Sequence, residues 1–112
     1  MNMNAVLHSD MKQMRDGADA VDVTLIEANQ TSKRFVLFAV GRGGNPLRHL
    51  PLLRSIAARE CKVIAPHFNM LTSLVPTKEE LDKRMRRLEV SAAEYFKADL
   101  PIVGIGHSIG SV

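Results

Sequence analysis

The sequence predicts an α/β domain in which a mainly parallel sheet is flanked by helices. Short apolar runs alternate along the chain with segments of helical spacing, and a glycine-rich segment follows two of these runs. Continuous apolar runs are typical of strands that are buried on both faces. Strands that alternate with helices favour a parallel sheet with right-handed crossovers. With 112 residues, the chain is expected to form one domain.

Composition and charge exclude several protein classes. Apolar residues make up 46% and charged residues 24% of the chain, as in globular proteins. One cysteine, Cys61, allows neither an internal disulfide nor a multi-cysteine metal site. The net charge of +3 is small and no aromatic residues interleave with the basic ones, so nucleic acid is not an expected partner. No run is long enough to span a membrane and the N-terminus lacks the basic start of a secretory signal, so a cytoplasmic location is expected.

The first part of the chain is predicted to hold two strands. Residues 1–20 are the least determined and predict an irregular segment with at most one edge strand. Residues 21–28 alternate between apolar and polar, which indicates a half-buried strand. The polar residues 29–32 predict a hairpin connection. The run FVLFAV, residues 35–40, predicts a strand that is buried on both faces.

The second part predicts a helix and two further strands. Residues 47–59 have helical spacing, and Pro51 allows a start as late as Leu50. Residues 62–65, KVIA, predict a short strand, and a loop follows over residues 67–76. Residues 101–105, PIVGI, predict another buried strand.

A long helix is predicted from about Thr77 to Ala98. Thr77 and Glu80 have the spacing of a capping box, in which each side chain receives the backbone N–H of the other residue. A cluster of basic residues predicts a solvated face, and apolar residues at helical spacing predict a buried stripe. The basic cluster comprises Lys83, Arg84, Arg86 and Arg87, and the stripe comprises Leu81, Met85, Leu88, Ala92 and Tyr95 or Phe96.

The segment Gly106-His107-Ser108-Ile109-Gly110 follows the last predicted strand directly. A G-x-S-x-G sequence between a strand and a helix is typical of a nucleophile elbow, a sharp turn that exposes the serine hydroxyl. Small residues stand two positions either side because larger ones would clash in the turn. The N–H of Ile109 would open the helix and could donate to an oxyanion.

A second glycine segment, Gly41-Arg42-Gly43-Gly44-Asn45, follows the strand FVLFAV. Its backbone N–H groups have little side-chain obstruction, so Gly41, Gly43 and Gly44 are candidate substrate-binding residues. Ligands bind at the carboxyl ends of parallel strands in such sheets. Both glycine segments are therefore expected at one edge of the sheet.

From about Val21 to Val112 the chain resembles the N-terminal half of an α/β-hydrolase domain. The resemblance rests on the loop GRGGN, the strand KVIAPHF, the capped helix and the elbow GHSIG. It implies an esterase-like hydrolase that acts on a small-molecule ester, thioester or amide, with no cofactor and no metal. It also implies that Ser108 is the nucleophile and that the N–H groups of Ile109 and Arg42 form the oxyanion hole. Val40 stands where many members of the family have a histidine.

The triad of this family follows the order serine, acid, histidine, but neither an acid nor a histidine follows Ser108. We therefore expect residues 1–112 to form a single partial domain with a truncated fold, to be inactive alone and to self-associate through an exposed edge strand. One alternative is a non-catalytic, truncated remnant or a fragment that binds a partner. A lesser alternative is a nucleotide-binding α/β domain. Gly41 and Gly43 fit a dinucleotide fingerprint, whereas Pro46 takes the place of its third glycine.

The remaining histidines and the cysteine are not strong site candidates. His67 is expected at the same sheet edge as Ser108, although packing of the loop is favoured over catalysis. The side chain of His107 is expected to point away from the site. Cys61 precedes a strand and predicts a half-buried thiol.

Overall fold

The structure, a computed structural model, describes residues 7–28, 32–96 and 100–106. These ranges form a five-stranded sheet in the order β1-β2-β4-β3-β5. A short 3₁₀ helix leads into the first of two α-helices. The strands are β1 (Leu7–Asp16), β2 (Asp19–Ala28), β3 (Arg34–Ala39), β4 (Cys61–Pro66) and β5 (Ile102–Gly106); the helices are the 3₁₀ helix Pro46–His49, α1 (Leu50–Ala57) and α2 (Lys78–Tyr95).

The sheet is mixed, and the prediction of a mainly parallel sheet is wrong. β1 is antiparallel to β2, and β2 is antiparallel to β4. β3 is parallel to both β4 and β5. The antiparallel part comes from the first two strands: residues 7–16, predicted as an irregular segment with at most one edge strand, form a ten-residue edge strand with β2, and β2 is itself antiparallel to β4. The parallel strands lie together on the side of the sheet that carries the glycine loop.

The hairpin of the sheet joins β1 to β2. It turns through Gly17, whose φ of 64° lies in the left-handed region that favours glycine. The hairpin predicted at residues 29–32 is wrong, since β4 lies between β2 and β3 in the sheet. A polar segment predicts that the chain reverses direction, but it does not determine which strand pairs with β2 in the sheet.

The helices cover opposite faces of the sheet. Val63 and Ile64 are neighbours on β4, so their side chains point to opposite faces. Val63 belongs to the apolar cluster that contains Leu53 of α1. Ile64 belongs to the second cluster, against which Val90 of α2 packs. The domain is therefore a three-layer arrangement with the sheet in the middle.

Helix α2 begins as predicted. The hydroxyl of Thr77 accepts the N–H of Glu80 at 3.1 Å, and a carboxylate oxygen of Glu80 accepts the N–H of Thr77 at 3.0 Å. The predicted capping box is thus confirmed. The helix ends at Tyr95, earlier than the predicted Ala98; residues 97–99 are outside the described ranges.

The buried face of α2 differs from the predicted one. Arg84 and Arg87 are 8% and 5% exposed, whereas Leu81 and Met85 are 37% and 56% exposed. The prediction that Arg84 and Arg87 belong to a solvated face is wrong, and so is the buried position predicted for Leu81 and Met85. The physical reason is that backbone carbonyls and a buried carboxylate lie beneath the helix and accept hydrogen bonds from these guanidinium groups. Cys61 is also buried rather than half-buried, and this burial raises the pKa of its thiol.

Candidate functional site

Three parallel strands end at one edge of the sheet, where two loops meet. β3 continues into the glycine loop, residues 41–45, and β4 continues into the loop of residues 67–76. Gly106, the last described residue, pairs with Ala39 at the end of β3. Ala39 therefore lies level with the end of β5, and the glycine loop begins two residues further along the chain.

The glycine loop turns sharply and contacts the neighbouring loop through its backbone. Gly44 donates its N–H to the carbonyl oxygen of Gly41 at 3.2 Å and has a φ of 78°. Its own carbonyl accepts the N–H of Phe68 at 2.9 Å. Asn45 accepts the N–H of Leu47 at 3.0 Å and so caps the following 3₁₀ helix.

Arg42 links the two loops through both its side chain and its backbone. Its guanidinium donates to the carbonyl oxygens of Ser73 and Leu74. Its carbonyl oxygen accepts the N–H of Leu71 at 3.0 Å. The side chain of Arg42 is therefore occupied in holding the second loop, so any role in binding a substrate falls to its backbone.

Arg84 of α2 reaches beneath both loops and donates four hydrogen bonds. Nη1 donates to the carbonyl oxygens of Val40 and Gly41 at 3.1 and 2.7 Å. Nη2 donates to those of Arg42 and Asn69 at 3.1 and 3.0 Å. Sequence reasoning missed this residue, because an arginine that binds carbonyl groups across the fold has no local signal in its own helix.

The buried charge of Arg84 is stabilised by dipoles. Its Cζ lies 4.7 Å from the centroid of the Phe68 ring, in a cation–π contact. Burial lowers the pKa of Arg84, whereas Glu80 opposes this effect and Arg42 adds to it. An arginine nevertheless keeps its charge in proteins. The carbonyl dipoles and the ring face therefore surround a permanent cation.

Asp16 joins the hairpin to α2. It is 7% exposed and accepts from Nε of Arg86 at 3.0 Å and from Nε of Arg87 at 3.4 Å. Arg87 also donates to the carbonyl oxygen of His67 at 3.0 Å. The second loop is thus held by Arg42, Arg84 and Arg87 together.

His67 lies on the side of the sheet edge that is remote from β5. Its Nε2 is 2.9 Å from the hydroxyl oxygen of Thr24, and its N–H donates to the carbonyl of Asp22 at 2.9 Å. β3 separates β4, which leads to His67, from β5. Burial lowers the pKa of His67, and the carboxylate of Asp22 opposes this shift. These contacts favour the packing role over a role as catalytic base.

Ser108 and Ile109 lie outside the described residues, as do His107 and Gly110. Their roles remain predictions from the sequence. The structure describes the strand that leads to them, which ends at Gly106.

A cavity of about 290 Å³ lies beside the glycine loop rather than within it. Its walls come from residues 68–72 and from α2 between Glu79 and Arg87.

Among the described ranges, no group of three His, Cys, Asp or Glu side chains could hold a metal ion. No helix in those ranges is long and apolar enough to cross a membrane.

Solved structures with a similar fold include a lipase, an esterase and a thioesterase domain. The chain is similar to a lipase in its open form, with 22% identity, a TM-score of 0.63 and 92% of this chain covered. It is also similar to a thermostable esterase from Pseudomonas putida, with 13% identity, a TM-score of 0.65 and 93% covered. A thioesterase domain from the curacin biosynthetic pathway gives 16% identity, a TM-score of 0.67 and 89% covered.

The likeness covers most of this chain but a smaller part of each neighbour. The chain spans about a third of the length of these proteins, at 36%, 35% and 36%. No protein-family profile and no curated protein sequence matches the chain. The resemblance inferred from the sequence is confirmed for the fold: the chain has the α/β-hydrolase fold found in these lipases, esterases and thioesterase domains.

Proposed function

We propose that this chain carries the nucleophile and the oxyanion-binding loop of a serine hydrolase for esters, thioesters or amides. One observation carries the proposal. The glycine loop begins two residues beyond Ala39, the partner of Gly106, which is both the last residue of β5 and the first of the sequence GHSIG. The structural neighbours, a lipase, an esterase and a thioesterase domain, support the same class of reaction.

The proposed reaction begins at the hydroxyl of Ser108. Its oxygen bonds to the substrate carbonyl carbon while its proton passes to water or to an external base, and the carbonyl electron pair moves onto oxygen. The N–H groups of Ile109 and Arg42 stabilise this oxyanion. The intermediate then expels an alcohol, thiol or amine, which takes up a proton, and leaves an acyl-serine. Water attacks the acyl-serine, releases the acid and restores the hydroxyl.

The proton of Ser108 needs an acceptor. Residues 109–112 contain neither an acid nor a histidine. His67 is engaged with Thr24 on the far side of β4. We therefore expect a polypeptide limited to residues 1–112 to acylate slowly, with an acceleration of at most ~10³–10⁴ over water, as oxyanion binding alone can provide.

The test measures acylation of the full chain by p-nitrophenyl acetate, with and without added imidazole as an external base. We expect a slow burst of nitrophenol that imidazole accelerates and that Ser108→Ala abolishes. Ser111→Ala is the matched control and should keep the burst. An equal burst in Ser108→Ala and in the unmodified chain would contradict the proposal.

A further inference from the structure

Three consecutive carbonyl groups, one just before the glycine loop and two within it, point at one side chain. The carbonyl oxygens of Val40, Gly41 and Arg42 all accept from the guanidinium of Arg84. The described backbone contains no cis peptide bond. In a trans peptide plane the C=O and the following N–H point in opposite directions. The N–H groups of Gly41, Arg42 and Gly43 are therefore directed away from Arg84.

We propose that Arg84 is a positioning residue that orients these N–H groups as donors to the oxyanion of a substrate. The inference rests on the proposed function, since it concerns the same loop. Arg84 acts through the backbone and does not itself touch the substrate. Its fourth hydrogen bond, to the carbonyl of Asn69, fixes the guanidinium to the second loop and so fixes its position beneath the first.

The geometry of the interaction requires an arginine. The two Nη atoms carry four hydrogens, and the four carbonyl oxygens account for all of them. A lysine ammonium is a single centre with three donors and cannot reproduce the planar fork. Without the guanidinium, the carbonyl of Val40 loses the donor described for it, and the carbonyl of Gly41 keeps only the longer hydrogen bond from the N–H of Gly44 at 3.2 Å. The loss of hydrogen bonds at buried carbonyls is unfavourable, so these peptide planes would rotate towards other donors.

Rotation of one plane would affect the reaction directly. The plane that contains the carbonyl of Gly41 also contains the N–H of Arg42, the proposed oxyanion donor. Oxyanion donors act only when they are aimed at the developing charge before the reaction begins, and removal of one such donor slows a reaction by about 10²–10³. A misaligned N–H should therefore slow acylation without weakening capture of the ester.

The experiment compares Arg84→Met and Arg84→Lys with Lys83→Met, a matched control in which the lysine is half-exposed on the same helix. The first readout is the acylation of Ser108 by p-nitrophenyl acetate in the presence of imidazole. We expect Arg84→Met to lower the acylation rate constant about tenfold to a hundredfold, with the half-saturating ester concentration and the pH profile unchanged. Arg84→Lys should fall between Arg84→Met and the unmodified chain, and Lys83→Met should match the unmodified chain.

The second readout is the backbone amide NMR signals of Gly41, Arg42 and Gly43 in the free protein. We expect these signals to shift or broaden in both Arg84 variants. If a variant is only partly folded at the assay temperature, the signals of its folded fraction are the ones compared. They should remain in place in Lys83→Met.

The two readouts separate the inference from the proposed function. If the unmodified chain shows no acylation of Ser108, the proposed function fails, and the amide signals alone then decide whether Arg84 orients the loop. Unchanged amide signals in both Arg84 variants would overturn the inference. A loss of rate that matches the unfolded fraction of each variant would also overturn it, because the role of Arg84 would then be structural only.

Discussion

The carbonyl oxygen of Phe68 occupies the space that a side chain on Gly44 would need. A Cβ built on Gly44 would overlap this oxygen and would lie 2.8 Å from the carbonyl carbon of Phe68. The same two residues are joined by the hydrogen bond from the N–H of Phe68 to the carbonyl of Gly44. The two loops at the sheet edge therefore meet backbone to backbone, and only glycine permits this approach.

Replacement of Gly44 should separate the two loops. We expect Gly44→Ala to lower the free energy of unfolding by about 1–3 kcal/mol, because the residue combines a positive φ with a steric overlap. Gly43→Ala is the matched control, since a Cβ at Gly43 meets no atom within 4 Å; its effect should stay within about 0.5 kcal/mol. Urea denaturation measures both changes. Equal stability of the two variants would show that the loops do not meet as described.

Replacement of Asp16 should weaken the connection between the hairpin and α2. Asp16→Asn removes a buried carboxylate that accepts from Arg86 and Arg87, and it leaves the buried Arg87 without its main charge partner. We expect a loss of about 2–4 kcal/mol in the free energy of unfolding. Asp10→Asn removes an exposed ion pair with Lys12 and should change stability by less than about 1 kcal/mol. If both variants lose the same amount, the carboxylate of Asp16 is not buried as described.

His67 should titrate below the ordinary histidine pKa of 6.5. Burial disfavours the charged ring, so the folded state takes up a proton less readily than the unfolded state. The contribution of His67 to stability is therefore fully present above pH 6.5 and declines as the pH falls toward the lower, folded pKa. NMR titration of the imidazole ring measures this value directly. Asp22→Asn should lower the pKa further, because the Asp22 carboxylate raises it; a ring that titrates above 6.5 would contradict the described burial.

The edge of the sheet at β5 should promote self-association of the chain. Ile102 and Val103 are 56% and 43% exposed, and within the described ranges β5 pairs only with β3. Exposed edge strands are prone to pair with other chains. We expect the average molecular mass measured by analytical ultracentrifugation to rise with protein concentration. This mass should be lower for Ile102→Lys than for the unmodified chain. Leu52→Lys, at a similarly exposed site on α1, is the control; a monomer at all concentrations would exclude this association.

Much of the architecture could be predicted from local sequence patterns. The apolar runs FVLFAV and KVIA became β3 and β4, and the capping box marked the start of α2. The start of α1 at Leu50 also agrees with the position of Pro51. These features depend on residues close together in the chain, so periodicity and capping chemistry were sufficient to identify them.

Strand order and the arginine contacts could not be predicted in the same way. β2 pairs with β4. This pairing depends on how the strands pack together in the core and not on the turn after β2. Arg84 and Arg87 have the local pattern of surface residues. They are buried because carbonyl groups of Val40 and His67 and the carboxylate of Asp16 meet them only in the folded chain.

The central claim is that Ser108 is a nucleophile that is served by the glycine loop. The most direct test is to treat the full chain with a fluorophosphonate in the presence of imidazole and to map the adduct by peptide mass spectrometry. We predict a phosphonyl adduct on Ser108, none on Ser111, and a slower reaction in Gly44→Ala, in which the loop is displaced. Absence of an adduct on Ser108, with modification at other residues or at none, would contradict the account.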